Sequence, residues 1–281
     1  MSSLRVAVAG KGGAGKTTVS ATLARLAGRR GLRAIVIDAD SNPNVGVALG
    51  LSRERASAIR PLPSNLVSRR LDGPGLVEPM ANVIERHGAR TDDGVVVVHM
   101  AMPSHADEGC LCSAHATVSA MLADAGAEEG MITIMDLEAS PEHFSRGTTR
   151  HADWLLLVTE PYYRSLETAR RMAELAAELP IPHVGVVANK LRGPADTDAV
   201  AEFCATHHLN VAGCLPWSEA VLDADRAGIP LLDYAPDQPI VSALADLALF
   251  LLGPLSEDLL GSTPESVNSL ATGASAPRER E

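Results

Sequence analysis

Aromatic side chains are scarce in this 281-residue chain: three Phe, two Trp and three Tyr make up 3% of it. Hydrophobic residues still account for 46%, so a core has to be built from Ala, Val and Leu rather than from rings. Cations are short as well. Twenty-four Lys and Arg face 35 Asp and Glu, a net charge of −11. Such a balance excludes a broad nucleic-acid surface, which needs an excess of positive charge, although it leaves room for a small basic patch. Long apolar runs are missing too. The longest, 241–255, contains Asp246 and falls short of the roughly 20 residues that a membrane-spanning helix needs; its spacing suits a helix docked on a core. Only four cysteines occur, Cys110, Cys112, Cys204 and Cys214. The chain opens directly on a strand pattern and a glycine-rich loop, without the pattern of a signal peptide. A cytoplasmic protein with reduced thiols is therefore expected, in which cysteines ligate metal or are simply buried.

The length suits one large domain, taken as residues 1–260. The remainder, 261–281, is rich in Ser, Pro, Gly and charge and is expected to be a disordered tail. Short β-rich apolar runs at 4–9, 34–37, 95–100, 131–135, 154–158, 184–188 and 211–215 alternate with helical patterns at 17–30, 114–125, 165–179 and 195–208. Strands that are apolar throughout, alternating with helices, predict an α/β fold: a doubly wound, mostly parallel sheet covered by helices on both faces. Ligands of such folds sit at the carboxyl ends of the strands. Residues 52–91 mix Arg, Pro and Gly and read as surface helices and loops. No internal repeat is visible.

The first strand runs into Gly10-Lys11-Gly12-Gly13-Ala14-Gly15-Lys16-Thr17-Thr18, and a helix pattern opens at Thr17. Strand, glycine-rich loop and helix in that order form the context of a phosphate loop. Its glycines turn backbone N–H groups toward phosphate, and the helix N-terminus adds the positive end of its dipole. Lys16 is expected to reach the β- and γ-phosphates of a nucleotide, and Thr17 to ligate Mg²⁺. Asn189-Lys190 closes a later strand. A guanine-reading loop would carry an acid two residues after the lysine, where Arg192 stands. The Asn189 amide by itself can pair with adenine, which favours ATP over GTP; the alternative is a turn-forming Asn.

Lys11 adds a second lysine directly after the first glycine. The resulting Lys-Gly-Gly-x-Gly-Lys-Thr-Thr string resembles the deviant Walker A ATPases, the superfamily of MinD, ParA, the nitrogenase iron protein and several metallochaperones. The resemblance implies that Lys11 reaches across a homodimer to the partner's nucleotide. It implies that Asp40, in Ile37-Asp38-Ala39-Asp40, polarises the attacking water and that Asp38 helps to hold the Mg²⁺ shell. Asp136, at the end of the strand at 131–135, looks like the Walker B carboxylate, and Pro216 matches a position beside the base. For Asp38 the plainer alternative is a helix cap.

Cys110-Leu111-Cys112 precedes a helix pattern. Two thiols one residue apart are half of a four-ligand metal site, and a two-fold dimer would double them to four. Cys204 and Cys214 have no such pairing and read as core residues. The pair, the string Asp136-Leu-Glu-Ala with Glu142-His143 and Arg146-Gly-Thr148 after it, Glu160-Pro161, Ser165-Leu-Glu-Thr-Ala169 and Asn189-Lys190 together resemble the nickel-insertion ATPases of carbon monoxide dehydrogenase maturation, the CooC family. That resemblance implies a homodimer that binds Ni²⁺ or Zn²⁺ through the cysteine pair at its interface and delivers metal to a client metalloenzyme. Nucleic acid and membranes are not expected partners. The chain departs from the family at Ser140-Pro141, where Gly-Ile is usual, and Pro141 stiffens a segment expected to move. His115 and His143 could extend the metal site, although surface or core roles are commoner for histidine. Two other readings stay open. A MinD- or ParA-like positioning ATPase would need a basic amphipathic tail or a basic DNA surface. An iron-protein-like electron carrier would need a cysteine shortly after Asp136, and none lies between Asp136 and Thr149.

Overall fold

A computed structural model describes residues 3–40, 42–63, 66–70, 73–101, 112–140 and 142–260. In chain order the elements are β1 (Leu4–Gly10), α1 (Lys16–Arg29), β2 (Arg33–Ala39), α2 (Val45–Ala48), α3 (Arg53–Ser57), β3 (Val67–Arg70), β4 (Gly73–Leu76), α4 (Met80–His87), β5 (Ala89–Arg90), β6 (Val96–His99) and α5 (Cys112–Asp124). There follow β7 (Met131–Leu137), α6 (Glu142–Ser145), β8 (Trp154–Thr159), α7 (Tyr163–Ala176), β9 (His183–Leu191), α8 (Pro194–Thr206), β10 (Val211–Pro216), α9 (Glu219–Ala227), α10 (Leu231–Tyr234) and α11 (Pro239–Leu260). The strands and helices read from apolar periodicity all form, with ends shifted by up to a few residues. The predicted tail, 261–281, lies outside the described residues.

Eight strands make one sheet in the order β10-β9-β8-β1-β7-β2-β6-β5. All pairs are parallel except β5 against β6. The order departs from β1 in both directions, toward β7 and β2 on one side and β8 and β9 on the other. The carboxyl end of β1 is thus a topological switch point, where the flanking connections leave in opposite directions and open a crevice. The glycine-rich loop occupies that crevice.

Alternation along the central strands sends side chains to two cores. Val6, Val8, Val36, Ile134, Leu156 and Val158 pack on the side of α1 and α11. Ala7, Ile35, Ile37, Met135, Leu155 and Leu157 pack on the opposite side with α5 and α7. Phe144 is the only Phe, Tyr or Trp among the buried hydrophobic residues described, so small aliphatic side chains fill both layers. The apolar run at 241–255 belongs to α11, which docks on the first core through Leu244, Leu247, Ala248 and Leu251. Among the described residues, no helix is long and apolar enough to cross a membrane.

Two expectations need correction. Residues 52–91 are more than surface helices and loops: they hold the β3–β4 hairpin and α4, and they bury Leu62, Leu66, Leu76, Met80 and Val83 in the second core. The Gly-Pro-Gly of β4 carries no strand propensity. Its hairpin is stabilised by packing on α5, where the Asp124 carboxylate accepts from the Leu76 N–H at 3.3 Å, a tertiary contact invisible to local pattern. Cys204 is buried as expected, but Cys214 is exposed. It lies on β10, the edge strand, and an edge strand lacks the neighbour that would cover it.

A cluster of four charges ties α1 to the rest. Arg25, 5% exposed, donates to Asp93 at 2.6 Å and to Asp233 at 2.8 Å, and Arg29 contacts the same two carboxylates. The guanidinium of Arg25 thereby joins α1 to the loop before β6 and to α10. Removing Arg25 takes away the one fully buried member of the cluster and leaves Asp93 and Asp233 to Arg29 alone. Arg25→Ala is expected to lower stability by about 3 kcal/mol, measured as a shift of the urea midpoint; a shift below about a third of that would mean that water replaces the guanidinium without loss.

Candidate active site

Local chemistry shapes the loop between β1 and α1. Gly10 has φ +147°, and a Cβ there would lie 2.1 Å from the Val158 carbonyl oxygen, so only glycine lets β1 turn beside β8. Gly15 has φ +102°, and a Cβ there would lie 2.3 Å from Asn189 Nδ2. As the N-cap of α1, Gly15 offers no side chain to the open N–H groups of the first turn, and no acid stands in that turn. Those donors are left for an external anion.

Lys16 begins the helix and is buried. Its ammonium points back along the loop, 3.5 Å from the Lys11 carbonyl oxygen. Burial lowers its pKa, and the nearby Asp136, Asp40 and Glu138 oppose the shift. A lysine drawn inward by three carboxylates is placed to meet the phosphates of a ligand in the crevice.

The sheet register sets the acids. Asp38 on β2 pairs with Asp136 on β7, and His99 on β6 pairs with Asp38 from the other side. Residues in register on adjacent parallel strands share a face, so both carboxylates face α1 at the carboxyl ends of their strands. Asp136 accepts from Thr17 Oγ1 at 2.7 Å and from Ser20 Oγ at 2.9 Å. Asp38 accepts from the Val45 N–H at 3.0 Å, at the start of α2, and from the Asp40 N–H at 3.2 Å. Both acids are 1% exposed, and among the described residues no Lys, Arg or His forms a salt bridge with either. Burial, then the Asp136 charge, push Asp38 up to about 7. Burial also lifts Asp136 to about 6 against the pull of its two hydroxyl donors. Two desolvated carboxylates side by side with a threonine hydroxyl between loop and sheet are an oxygen donor set of the kind that suits Mg²⁺. Asp40 is half-buried at the next turn, where its carboxylate accepts from the Asn42 N–H at 2.8 Å.

Asn189 and Lys190 end β9 beside the loop. The Asn189 amide donates to the Ala14 carbonyl at 2.7 Å and accepts from the Lys190 N–H at 2.8 Å. One N–H and one lone pair of the amide therefore brace the loop, and one of each remains for a base. Lys190 sits at φ +62°, and its ammonium donates to the Gly13 carbonyl at 2.6 Å. Asn189, Lys190, Pro216, Trp217, Val221 and Thr18 line a small, mostly apolar slot beside the loop. Arg192, the residue that replaces a guanine-reading acid, stacks on Trp217 with its guanidinium carbon 4.2 Å from the ring centre. Lys11 extends away from Lys16 and donates to the Tyr162 hydroxyl at 3.0 Å.

Cys112 opens α5 and is exposed; Cys110 and Pro141 lie outside the described residues. The Arg146 guanidinium donates to Cys112 Sγ at 2.9 Å; that sulfur is disulfide-bonded, so the reduced thiol expected from the sequence is not what the structure holds there. One turn further along α5, His115 Nδ1 lies 2.9 Å from Thr148 Oγ1. The His115 ring meets His143 edge to face at 4.9 Å, and Ser119 donates to the Gly147 carbonyl at 3.4 Å. Both histidines are buried. Burial, then its neighbour His115, hold His143 neutral with a pKa down at about 3. They are core residues that fasten α5 to the segment following Asp136. Among the described residues, no group of three His, Cys, Asp or Glu is placed to hold a metal.

Ser20, Tyr162, Trp217 and the His115–Thr148 contact were not anticipated. Ser20 could have been, since it lies three residues after Thr17 on the same helix face. The others are met only through chain crossings that sequence spacing does not encode.

A raised carboxyl pKa means that the folded state binds the proton more tightly than the unfolded chain does. That stabilisation is full below the ordinary carboxyl range near pH 4 and is lost as pH rises through about 7. Without divalent cation, the stability of Asp38→Asn relative to wild type is expected to rise by about 1–3 kcal/mol between pH 4 and pH 8, on top of a pH-independent loss, because an amide accepts only one of the two backbone N–H groups that the Asp38 oxygens accept. Added Mg²⁺ should stabilise wild type at pH 8 more than Asp38→Asn. Thermal melts at both pH values check this, and a relative stability that does not change with pH would show that the pair is not held as charged neighbours.

Residues 6–231 match the CobQ/CobB/MinD/ParA nucleotide binding domain. The carbon monoxide dehydrogenase accessory protein CooC of Rhodospirillum rubrum is 33% identical over 241 residues, which span 83% of this chain and 91% of that protein. An uncharacterised ATP-binding protein of Methanocaldococcus jannaschii is 32% identical over 239 residues, 81% of this chain and 91% of its own. Among solved structures, the septum site-determining protein MinD of Pyrococcus horikoshii, complexed with Mg-ADP, has a TM-score of 0.66 at 16% identity, covering 88% of this chain and 94% of that one. MinD of Aquifex aeolicus has a TM-score of 0.67 at 19% identity, covering 89% and 97%. At these identities the two MinD structures speak for the fold.

Proposed function

The chain belongs to the CobQ/CobB/MinD/ParA nucleotide-binding family and is an ATPase, and from that premise we propose that it is a dimeric metallochaperone that spends ATP to insert nickel into a client enzyme of the carbon monoxide dehydrogenase kind. One observation carries the reading. Cys112 stands at the head of a helix that Arg146, Thr148 and His143 clamp to the segment directly after Asp136. The likeness to CooC over most of both chains supports the same assignment.

The loop N–H groups and Lys16 bind the phosphates of ATP, and Asn189, Lys190 and Pro216 enclose the base. Thr17, Asp38 and Asp136 are the residues that would hold Mg²⁺, which supplies charge neutralisation at the β- and γ-phosphates when bound. Asp40 orients the water that attacks the γ-phosphorus. Lys11 from the second subunit balances charge on the leaving ADP oxygens, and the products are ADP and phosphate. Loss of the γ-phosphate releases segments that were pinned to it. Here the segment after Asp136 carries Arg146 and Thr148, so its movement reaches α5 and Cys112 directly. Once a dithiol reductant has supplied the two electrons that open the disulfide at Cys112, Cys110 and Cys112 of two subunits form a four-thiolate site across the dimer axis. A tetrahedral arrangement of four sulfurs suits Zn²⁺ and a square-planar one Ni²⁺.

Metal content and sedimentation of wild type and a Cys110→Ser/Cys112→Ser variant, with and without ATP, test the cargo site. About one nickel or zinc per dimer is expected, and none in the variant. Binding that survives loss of both thiols would leave a MinD- or ParA-like switch as the better reading. For the reaction itself, Lys11→Ala and Asp40→Ala are each expected to slow ATP turnover about 100-fold. Turnover unaffected by either substitution would remove that residue from the chemistry.

A further inference from the structure

The two lysines of the phosphate loop are held by separate sets of partners. Lys16 is buried among Asp136, Asp40 and Glu138. Lys11 is held on the outer side of the loop, where its ammonium donates to Tyr162 Oη at 3.0 Å and lies 5.3 Å from the centre of the Tyr162 ring. The Tyr162 hydroxyl donates in turn to Glu160 Oε1 at 3.4 Å. Glu160 Oε2 lies 3.4 Å from the Lys190 ammonium, and Lys190 returns to the loop through the Gly13 carbonyl at 2.6 Å. Lys11, Tyr162, Glu160, Lys190 and Gly13 thus form a closed circuit that leaves the loop at one residue and re-enters it at another. Along its first two links the donors point the same way, from the Lys11 ammonium to the phenol to the carboxylate, and such chains polarise each link; the Lys190 ammonium then donates both to Glu160 and to Gly13. Glu160 is largely covered, at 17% side-chain exposure, whereas Tyr162 is 40% exposed and Tyr163 71%. The circuit is therefore anchored below and open to a partner above.

We propose that Tyr162, braced by Glu160, is a positioning residue for Lys11: it holds the ammonium in the subunit's own chain while the subunit is alone and yields it to the nucleotide of a second copy. This rests on the trans role of Lys11 given above. A lysine that has to cross an interface must first leave what it is bonded to, so the bond to Tyr162 is a cost set against ATP-dependent dimerisation. Nothing else in the circuit has to move, because Glu160 keeps Lys190 and Lys190 keeps Gly13. The phosphate loop retains its shape while its outer lysine changes partner.

Tyr162→Phe removes the hydroxyl and keeps the ring. Two readouts are taken from it. The first is the rate at which an acetyl N-hydroxysuccinimide ester modifies Lys11 in the nucleotide-free protein, followed by peptide mass spectrometry with the N-terminal amine as internal reference. The second is the protein concentration at half-dimerisation with a non-hydrolysable ATP analogue and Mg²⁺, followed by sedimentation. Loss of one hydrogen bond predicts a rise in Lys11 modification and a fall in the half-dimerisation concentration, each by about two- to tenfold. The exposed neighbour variant Tyr163→Phe should change neither. An unchanged modification rate would show that the bond does not hold Lys11 in solution, and dimerisation that is unchanged or weakened in Tyr162→Phe would show that the bond does not restrain it; either result overturns the assignment. A wild type that stays monomeric at every concentration overturns both the assignment and the dimer it rests on. That outcome is distinct from failure of the latch alone, in which wild type dimerises and the variant matches it.

Discussion

Two buried carboxylates side by side stand at the centre of this protein. Asp38 and Asp136 are neighbours in register, both desolvated, and both pushed toward neutrality by that burial. Isolated, such a pair would destabilise the fold. Everything around it makes sense as a response. Thr17 and Ser20 lend hydroxyl donors to Asp136, the start of α2 lends an N–H to Asp38, and Lys16 is drawn inward.

The same arrangement makes the surroundings responsive. Asp38 leads within a few residues to Asp40 and α2, and Asp136 leads to α6, Arg146 and Thr148. Whatever occupies the crevice therefore acts on two chain segments at once. One of them packs on α5 through the His115–Thr148 and His115–His143 contacts, and α5 begins at Cys112. Those contacts are buried, largely neutral and short, so displacement on one side is transmitted rather than absorbed by water. On the opposite flank, Glu160 and Lys190 brace the loop from β8 and β9. The phosphate loop thus lies between the segment that follows Asp136 and the flank formed by Glu160 and Lys190.

Charge distribution supports this division. The chain as a whole is acidic, yet Lys11, Lys16 and Lys190 converge on one loop with Arg192 a few residues away. Every lysine of the chain is at that loop and the remaining cations are arginines, outnumbered overall by acids, which favours a compact polyphosphate over an extended nucleic-acid backbone. The core meets its own shortage in a similar way. With rings scarce, two thin aliphatic layers on either side of the sheet supply the burial, and the charge cluster around Arg25 fastens α1 where apolar contact ends.

Much of this was legible from the sequence, because it depends on local pattern. Seven strands are apolar runs bounded by glycine or polar residues, so they and their parallel pairing follow from period and composition, whereas the two-residue, antiparallel β5 has no such signal. Gly10, Gly15 and Lys16 declare the loop because no other residue types satisfy its backbone and its ligand together. Asp38, Asp136, Asn189 and Pro216 could be singled out because each sits where a strand stops, and strand ends are where such sheets bind. Tertiary structure decided what depends on crossing chains. The β3–β4 hairpin exists through α5 rather than through its own Gly-Pro-Gly, and Cys214 is exposed because strand order places β10 at an edge. His115 became a core residue rather than a ligand because Thr148 and His143 arrive beside it from another element. Sequence determines what each segment can do alone, since backbone freedom and apolar period are properties of neighbouring residues. Which side chains meet, and so which lysine is held by which tyrosine, is set only when distant segments share one surface.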